Sequence, residues 1–354
     1  MKTIQSFLLV LLVSNVFARQ QALKTFAAND PNIQYVGRID FSDTLKPRFW
    51  SPGVYIMAKF KGGDCVLLIN DENLYGNTQN YIEIIVDNLP PVRIQTQGKI
   101  NKIKAAQGLE NTAHTIVICK DTESGIGYLD FVGLQCEKLL PPPLKPKRKV
   151  EYIGDSITAG AGMDQSAIPC DNGKWYDQHN AYMSYGPVTS RALGAQWQLT
   201  AVAGIGMIHS CCDMKISMPQ VFDKVLLRND SIYWNFNRYQ PDVATICLGQ
   251  NDGVQDSVAF CSAYVKFIHQ LRTAYPNATI ICLTSPMGDE KLTVVLKRYL
   301  SGVTAFVNDE GDHKVFKYFF GKRYFHGCGT HPDVEEHQQI AAELTACIKQ
   351  IKHW

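Results

Sequence analysis

The sequence predicts two folded units, an all-β sandwich of jelly-roll type followed by a three-layer α/β domain on a parallel sheet. Three observations predict it. From about residue 32 to 136 the chain is a series of short apolar or alternating runs separated by Gly, Pro and Asn, the pattern of antiparallel strands. A proline-rich, basic stretch, "PPPLKPKRK", then intervenes, and prolines at 141, 142, 143 and 146 preclude helix there. Beyond it, compact apolar strands alternate with amphipathic helices, the rhythm of a parallel sheet covered on both faces. The expected boundaries are 19–140 for the sandwich, 141–149 for the linker and 150–354 for the second domain.

The chain opens "MKTIQSFLLVLLVSNVFARQ". A positive start, an apolar run and small residues at Val16 and Ala18 make residues 1–18 a signal peptide cleaved after Ala18. The run is short for a membrane span, and no later stretch is long enough. The mature protein is therefore expected to be exported or held in a secretory organelle. In the sandwich the expected strands are "IQYVGRIDF", "GVYIMAKF", "CVLLIN", "YIEIIVDN", "VRIQTQ", "HTIVICK" and "IGYLDFVGLQC", with turns at Gly62-Gly63-Asp64 and Asn88-Leu-Pro-Pro. In the second domain "KVEYIG", "WQLTAVAG", "DVATICLG" and "ATIICLTSP" read as strands. "SVAFCSAYVKFIHQLRTAYP" reads as a helix with Val258, Cys261, Val265, Ile268 and Leu271 on its inner face. Pro332 is expected to open the last helix, with Ile340, Leu344, Cys347 and Ile351 inward.

Composition narrows the partners. Of 354 residues 45% are hydrophobic and 19% charged, and the net charge is +2. No broad basic face for nucleic acid or anionic membrane is implied, and the Lys145–Lys149 run reads as a solvated linker. Two sequons, at Asn229 and Asn277, fit export. The 11 cysteines include no Cys-x-x-Cys pair, so buried thiols plus one or two bridges are expected rather than a metal cluster.

Four polar motifs stand where strands end, the rim at which parallel sheets collect their chemistry. Ser156 follows "VEYIG", Gly204 follows "WQLTAVA", "LGQND" with Gly249 and Asn251 follows "DVATIC", and His331 in "GCGTHPD" precedes the final helix. A serine hydroxyl becomes a nucleophile when a base takes its proton, and histidine is poised near neutrality for that. The Ser156 N–H, the Gly204 N–H and the Asn251 amide would receive the charge developing on a carbonyl oxygen. Gly206 is the alternative to Gly204.

These blocks resemble the SGNH, or GDSL-type, hydrolases: Gly154-Asp155-Ser156, a glycine at 204, Gly249-Gln250-Asn251-Asp252, and His331. The sandwich before them narrows the resemblance to carbohydrate esterase family two, whose members pair a jelly-roll with an SGNH domain and deacetylate plant polysaccharides. "GRIDF", "FWSPGVYI", "YIGDSITAGAG", "LGQND" and "GCGTHP" carry it over roughly residues 32–350. It implies an exported serine acetylesterase acting on acetylated carbohydrate, with Ser156 and His331 catalytic and no cofactor or metal. One departure matters. The aspartate expected three residues before the histidine is Cys328, and Gly329 is not acidic either. A Ser–His dyad is therefore expected, its imidazole oriented by a backbone carbonyl near Cys328 or Gly329, with Asp312 as the alternative. Trp175 and Trp234 are candidate sugar platforms, and Met207 a candidate lining for the acyl pocket. The competing functions are a secreted binding or structural protein with a decayed site, and an esterase or lipase for other acyl groups.

Overall fold

The computed structural model describes residues 22–228 and 232–354. The expected signal peptide and the Asn229 sequon lie outside those residues. The first nine strands are β1 (Lys24–Ala27), β2 (Gln34–Val36), β3 (Arg48–Phe49), β4 (Tyr55–Asp71), β5 (Tyr81–Val86), β6 (Val92–Gln95), β7 (Ile100–Ala106), β8 (Ala113–Lys120) and β9 (Leu129–Leu140). All their pairings are antiparallel, in the order β1-β9-β4-β8-β5-β6, with β2 and β7 on β4 and β3 on β9. Strand β4 alternates buried and partly covered residues and corrects the expected turn at Gly62-Gly63-Asp64. "GVYIMAKF" and "CVLLIN" are one strand, not two. Its first half pairs with β8 and its second with β7, and the register on β9 slips between Lys61 and Cys65. Gly62, at φ +114°, supplies the backbone conformation that bends the strand through this bulge. The sandwich core is Phe49, Ile56, Phe60, Leu67, Ile82, Ile116, Phe131 and Leu134 with their neighbours.

The second unit comprises β10 (Arg148–Gly154), α1 (Ser156–Ala159), α2 (Tyr185–Ala192), β11 (Ala195–Ala201), α3 (Met218–Val221) and β12 (Val243–Cys247). It closes with α4 (Ser257–Ala274), β13 (Thr279–Leu283), α5 (Glu290–Asp309), β14 (Val315–Tyr318) and α6 (Val334–Lys352). The sheet is parallel throughout, in the order β11-β10-β12-β13-β14. The chain leaves β10 first to one side and then to the other, so the doubly wound switch point lies beside its carboxyl end.

Two helix readings are corrected. In α4 the buried residues are Phe260, Tyr264, Phe267, Ile268 and Leu271, while Val258 is exposed and Cys261 and Val265 are only partly covered. The larger aromatic rings turn the helix toward themselves because they bury more apolar surface than valine. In α6 the helix starts at Val334, not Pro332, because Asp333 caps it: its carboxylate accepts the Glu336 N–H at 2.8 Å, and Glu336 reaches back to the Asp333 N–H. Ile340 and Leu344 are buried as expected, Cys347 and Ile351 flank them, and His337, Ala341 and Ile348 complete the stripe.

The two units share one core. Tyr55 stacks on Trp197 at 4.0 Å, and Val36, Ile85 and Cys119 pack with residues of the parallel domain. A buried cation pins the junction. Arg38 donates to Thr200 Oγ1, the carbonyls of Phe222 and Lys224, and Glu151 Oε1, with no exposure at either end of the ion pair. The linker is also tied, since Lys145 Nζ donates to the Tyr35 carbonyl at 2.7 Å. Removing one partner of a fully buried pair strands the other charge. Arg38→Met is expected to lower the unfolding free energy by about 3–5 kcal/mol in denaturant melts, and Arg38→Met with Glu151→Leu to recover much of that loss.

Candidate active site

Strand register builds the site. Gly154 of β10 pairs with Ala201 of β11 and with Cys247 of β12, so the segments after all three strands emerge at one rim. Ser156 opens α1, whose N-cap is Asp155, the carboxylate accepting the Ile157 N–H at 3.0 Å. Burial pushes the Asp155 carboxyl up to about 7, with the Asp252 charge adding to the shift.

His331 arrives from a different layer, on the turn before α6. Its Nε2 lies 2.8 Å from Ser156 Oγ, and its Nδ1 lies 3.1 Å from the Cys328 carbonyl oxygen. With Nδ1 carrying the proton, the ring donates to that carbonyl and presents an Nε2 lone pair to the serine. Burial lowers the His331 pKa, opposed by the backbone contacts at Cys328 and Gly329. The carbonyl is held in place: the Cys328 N–H donates to Gly162 O at 2.7 Å, and its side chain is disulfide-bonded to Cys170. Asp312 is elsewhere. It precedes β14, at the opposite end of the sheet, and binds Arg272 at 2.8 Å.

The donors converge on the same rim. Gly204 lies in the loop after β11 at φ +83°, where a Cβ would come within 2.8 Å of Cys211 Sγ. Neither its N–H nor that of Ser156 donates to another described residue. Gly206 is committed instead, its N–H donating to Ser210 Oγ at 3.0 Å. Asn251 Nδ2 donates to Ile205 O at 2.9 Å and to Asp155 Oδ2 at 3.2 Å. Asp252 braces the loop from the other side, its carboxylate accepting the N–H groups of Met207, Ile208 and His209.

A cavity of about 720 Å³ opens over these groups, lined by Ser156, His331, Gly204, Asn251, Gln250, Trp175, Glu123 and the vicinal disulfide Cys211–Cys212 among others. Trp175 is 44% exposed there, its ring 5.5 Å from that of His331. The other two expected lining residues are not there. Trp234 is buried outside that cavity against Arg38, because the guanidinium packs over its ring at 5.5 Å. Met207 is 1% exposed and belongs to the core cluster behind the loop, since the Asp252 bonds turn that backbone inward. Asn277 is exposed at the turn before β13. Two lining residues carried no usable sequence signal. Gln250, whose Oε1 accepts from Ser285 Oγ at 2.6 Å, sits at the variable position of its motif. Glu123 comes from the sandwich, and only the fold brings it near Ser156. Among the described residues no cluster of three or more His, Cys, Asp or Glu is placed to hold a metal ion, and no helix is long and apolar enough to cross a membrane.

A parallel doubly wound domain with a serine, an imidazole, a glycine and an asparagine at its switch point defines a GDSL-type hydrolase. Residues 152–316 match the GDSL-like lipase/acylhydrolase family, and residues 35–143 match the carbohydrate esterase 2 N-terminal family. The chain belongs to carbohydrate esterase family two. It is 31% identical to a family-two carbohydrate esterase from Clostridium thermocellum solved with cellohexaose, with a TM-score of 0.82 over 91% of this chain and 99% of that one. A Cellvibrio japonicus member superposes with a TM-score of 0.85 at 27% identity, over 94% and 99% of the two chains. Among curated relatives, an acetylxylan esterase / glucomannan deacetylase of Cellvibrio japonicus is 28% identical over 96% of this chain and 95% of its own length. The cellulase/esterase CelE of Acetivibrio thermocellus is 31% identical over 92% of this chain, which spans 40% of that relative's length.

Because burial disfavours the charged ring, a proton titration of His331 followed by NMR is expected to show a midpoint below the ordinary 6.5. A midpoint at or above 6.5 would contradict that environment.

Proposed function

We propose that this protein is an exported carbohydrate O-acetyl esterase working through a Ser156–His331 dyad. The observation that carries the proposal is the 2.8 Å contact between His331 Nε2 and Ser156 Oγ on the floor of an open cavity. Ser156 Oγ attacks the acetyl carbonyl as His331 Nε2 takes its proton. The imidazolium is steadied by Nδ1–H donating to the Cys328 carbonyl, a weaker partner than a carboxylate but one that fixes the same tautomer. The oxyanion is met by the N–H groups of Ser156 and Gly204 and by Asn251 Nδ2, which gives up its longer bond to Asp155. Collapse expels the sugar alkoxide, protonated by His331. Water, activated by the same imidazole, then releases acetate and restores the serine.

The substrate is an acetylated plant-type polysaccharide or oligosaccharide. Relatives named for acetylxylan and glucomannan support this, as does the exposed Trp175 ring beside His331, an aromatic face suited to a pyranose. Export rests on residues 1–18. The intact serine–imidazole contact argues against a decayed binding module.

Ser156→Ala and His331→Ala are each expected to cut 4-nitrophenyl acetate hydrolysis by at least about 1,000-fold while leaving the thermal unfolding midpoint near wild type. Near-normal turnover in either variant would refute the assignment. A fluorophosphonate probe should label the wild type and not Ser156→Ala. The base must be neutral, so kcat/KM is expected to fall as pH drops through the lowered His331 pKa, with its acid limb below pH 6.5.

A further inference from the structure

The segment that carries Trp175 makes its long-range hydrogen bonds to the sandwich. Lys174 Nζ and Tyr176 Oη both donate to the Asn77 carbonyl. Tyr81 Oη donates to Asp177 Oδ1 at 3.0 Å, and Arg93 Nη2 to the carbonyls of Asp177 and His179 at 2.8 and 2.7 Å. Glu123 goes further and joins this segment to the rim of the sheet. It follows β8, is 5% exposed, and lines the cavity that contains Ser156. One carboxylate oxygen, Oε1, accepts the Trp175 indole N–H at 3.1 Å. The other, Oε2, accepts the Ala203 backbone N–H at 3.0 Å. The Ala203 carbonyl is held from the opposite side by Arg228 Nη2 at 3.4 Å. Residue Ala203 is thus held at both its N–H and its carbonyl, and the peptide unit formed by that carbonyl carries the Gly204 N–H.

We propose that Glu123, contributed by the sandwich, is a positioning residue that sets two walls of the esterase cavity together: the Trp175 platform through Oε1, and the residue preceding the Gly204 oxyanion donor, Ala203, through its N–H at Oε2. This inference rests on the esterase reading above. The esterase domain's site is then incomplete without the sandwich, whose part in catalysis is to hold the Trp175 wall and the donor peptide in one frame. The Glu123 main chain is itself anchored, since the buried Lys120 Nζ donates to the carbonyls of Thr122 and Glu123 at 2.6 and 3.2 Å. Two N–H donors converge on one carboxylate that has an acceptor for each. Glutamine has the same shape but only one acceptor oxygen, so it must turn an N–H toward an N–H.

The test is Glu123→Gln beside Glu123→Asp in the full-length protein. For Glu123→Gln, kcat on 4-nitrophenyl acetate is expected to fall about 10- to 100-fold, less than deletion of an oxyanion donor outright. KM for an acetylated manno-oligosaccharide is expected to rise as the indole loses its anchor. The unfolding midpoint serves as control, and Glu123→Asp, which keeps both acceptors on a shorter arm, should recover part of kcat. Glutamine-variant kcat and KM within twofold of wild type would overturn the inference. So would a kcat loss fully explained by a smaller folded fraction at the assay temperature. If the glutamine variant does not fold, the aspartate variant carries the test: reduced kcat supports the inference, and wild-type kcat overturns it. An inactive wild type would remove the esterase reading and this inference together, whereas an active wild type with an unaffected variant removes this inference alone.

Discussion

Everything at the site depends on the register of β10 against its two neighbours. Gly154 lies level with Ala201 and Cys247, so three loops distant in sequence leave the sheet side by side. A shift of one residue in either pairing would turn the adjoining side chains to the other face and move its loop along the rim. The register is secured by burial: every residue of β11 and β12 is covered, as are the last five of β10. Parallel strands of this kind have no solvated face to which they could slip without exposing a core residue. The rim's register is therefore set by the core beneath it, and Ser156 is placed on that rim at the start of a helix capped by Asp155.

The imidazole solves a separate problem. In many serine hydrolases a carboxylate orients the histidine and answers its positive charge. Here Cys328 stands at that position, and its main chain does the orienting. A carbonyl dipole brings no second ion into a buried environment, so no desolvation cost for a carboxylate is incurred. In exchange it must be held still, since a dipole falls off with angle and distance faster than a charge. The holding is visible in the Cys328 N–H bond to Gly162 O, the bond from the Gly327 N–H to His331 O, and the bridge to Cys170.

How much of this was legible in the sequence follows from what each residue depends on. Ser156, Gly204, Asn251 and His331 sit in local strand-to-loop motifs, and local motifs survive in one dimension. The parallel rhythm of the second domain was readable for the same reason. Strand β7, "INKIKAA", escapes the sequence pattern because Asn101, Lys102 and Lys104 break up its apolar residues, and β4 reads as two strands because a glycine pair inside a bulge looks the same as a glycine pair in a turn. Trp234 and Met207 show the limit differently. An aromatic or thioether side chain near a motif is equally suited to a cavity wall and to a core. Only the Arg38 cation and the Asp252 carboxylate, neither near in sequence to the residue it directs, decide between the two.

The domain junction shows the same limit. An interface built only of apolar side chains would hold two units together while tolerating small rotations between them. This one is studded with buried polar groups whose partners lie across it: Arg38 with Glu151, Tyr81 and Arg93 with the 177–179 segment, Glu123 with Trp175 and Ala203. Each costs free energy to desolvate and regains it only in one relative orientation. Such groups are poor cement and good alignment pins. The Tyr81, Arg93 and Glu123 Oε1 bonds all fall on the segment that carries Trp175 or on its ring, so the angle between the two units fixes where Trp175 stands beside His331. An interface of this kind is needed when side chains of one unit hold the wall of a cavity in the other.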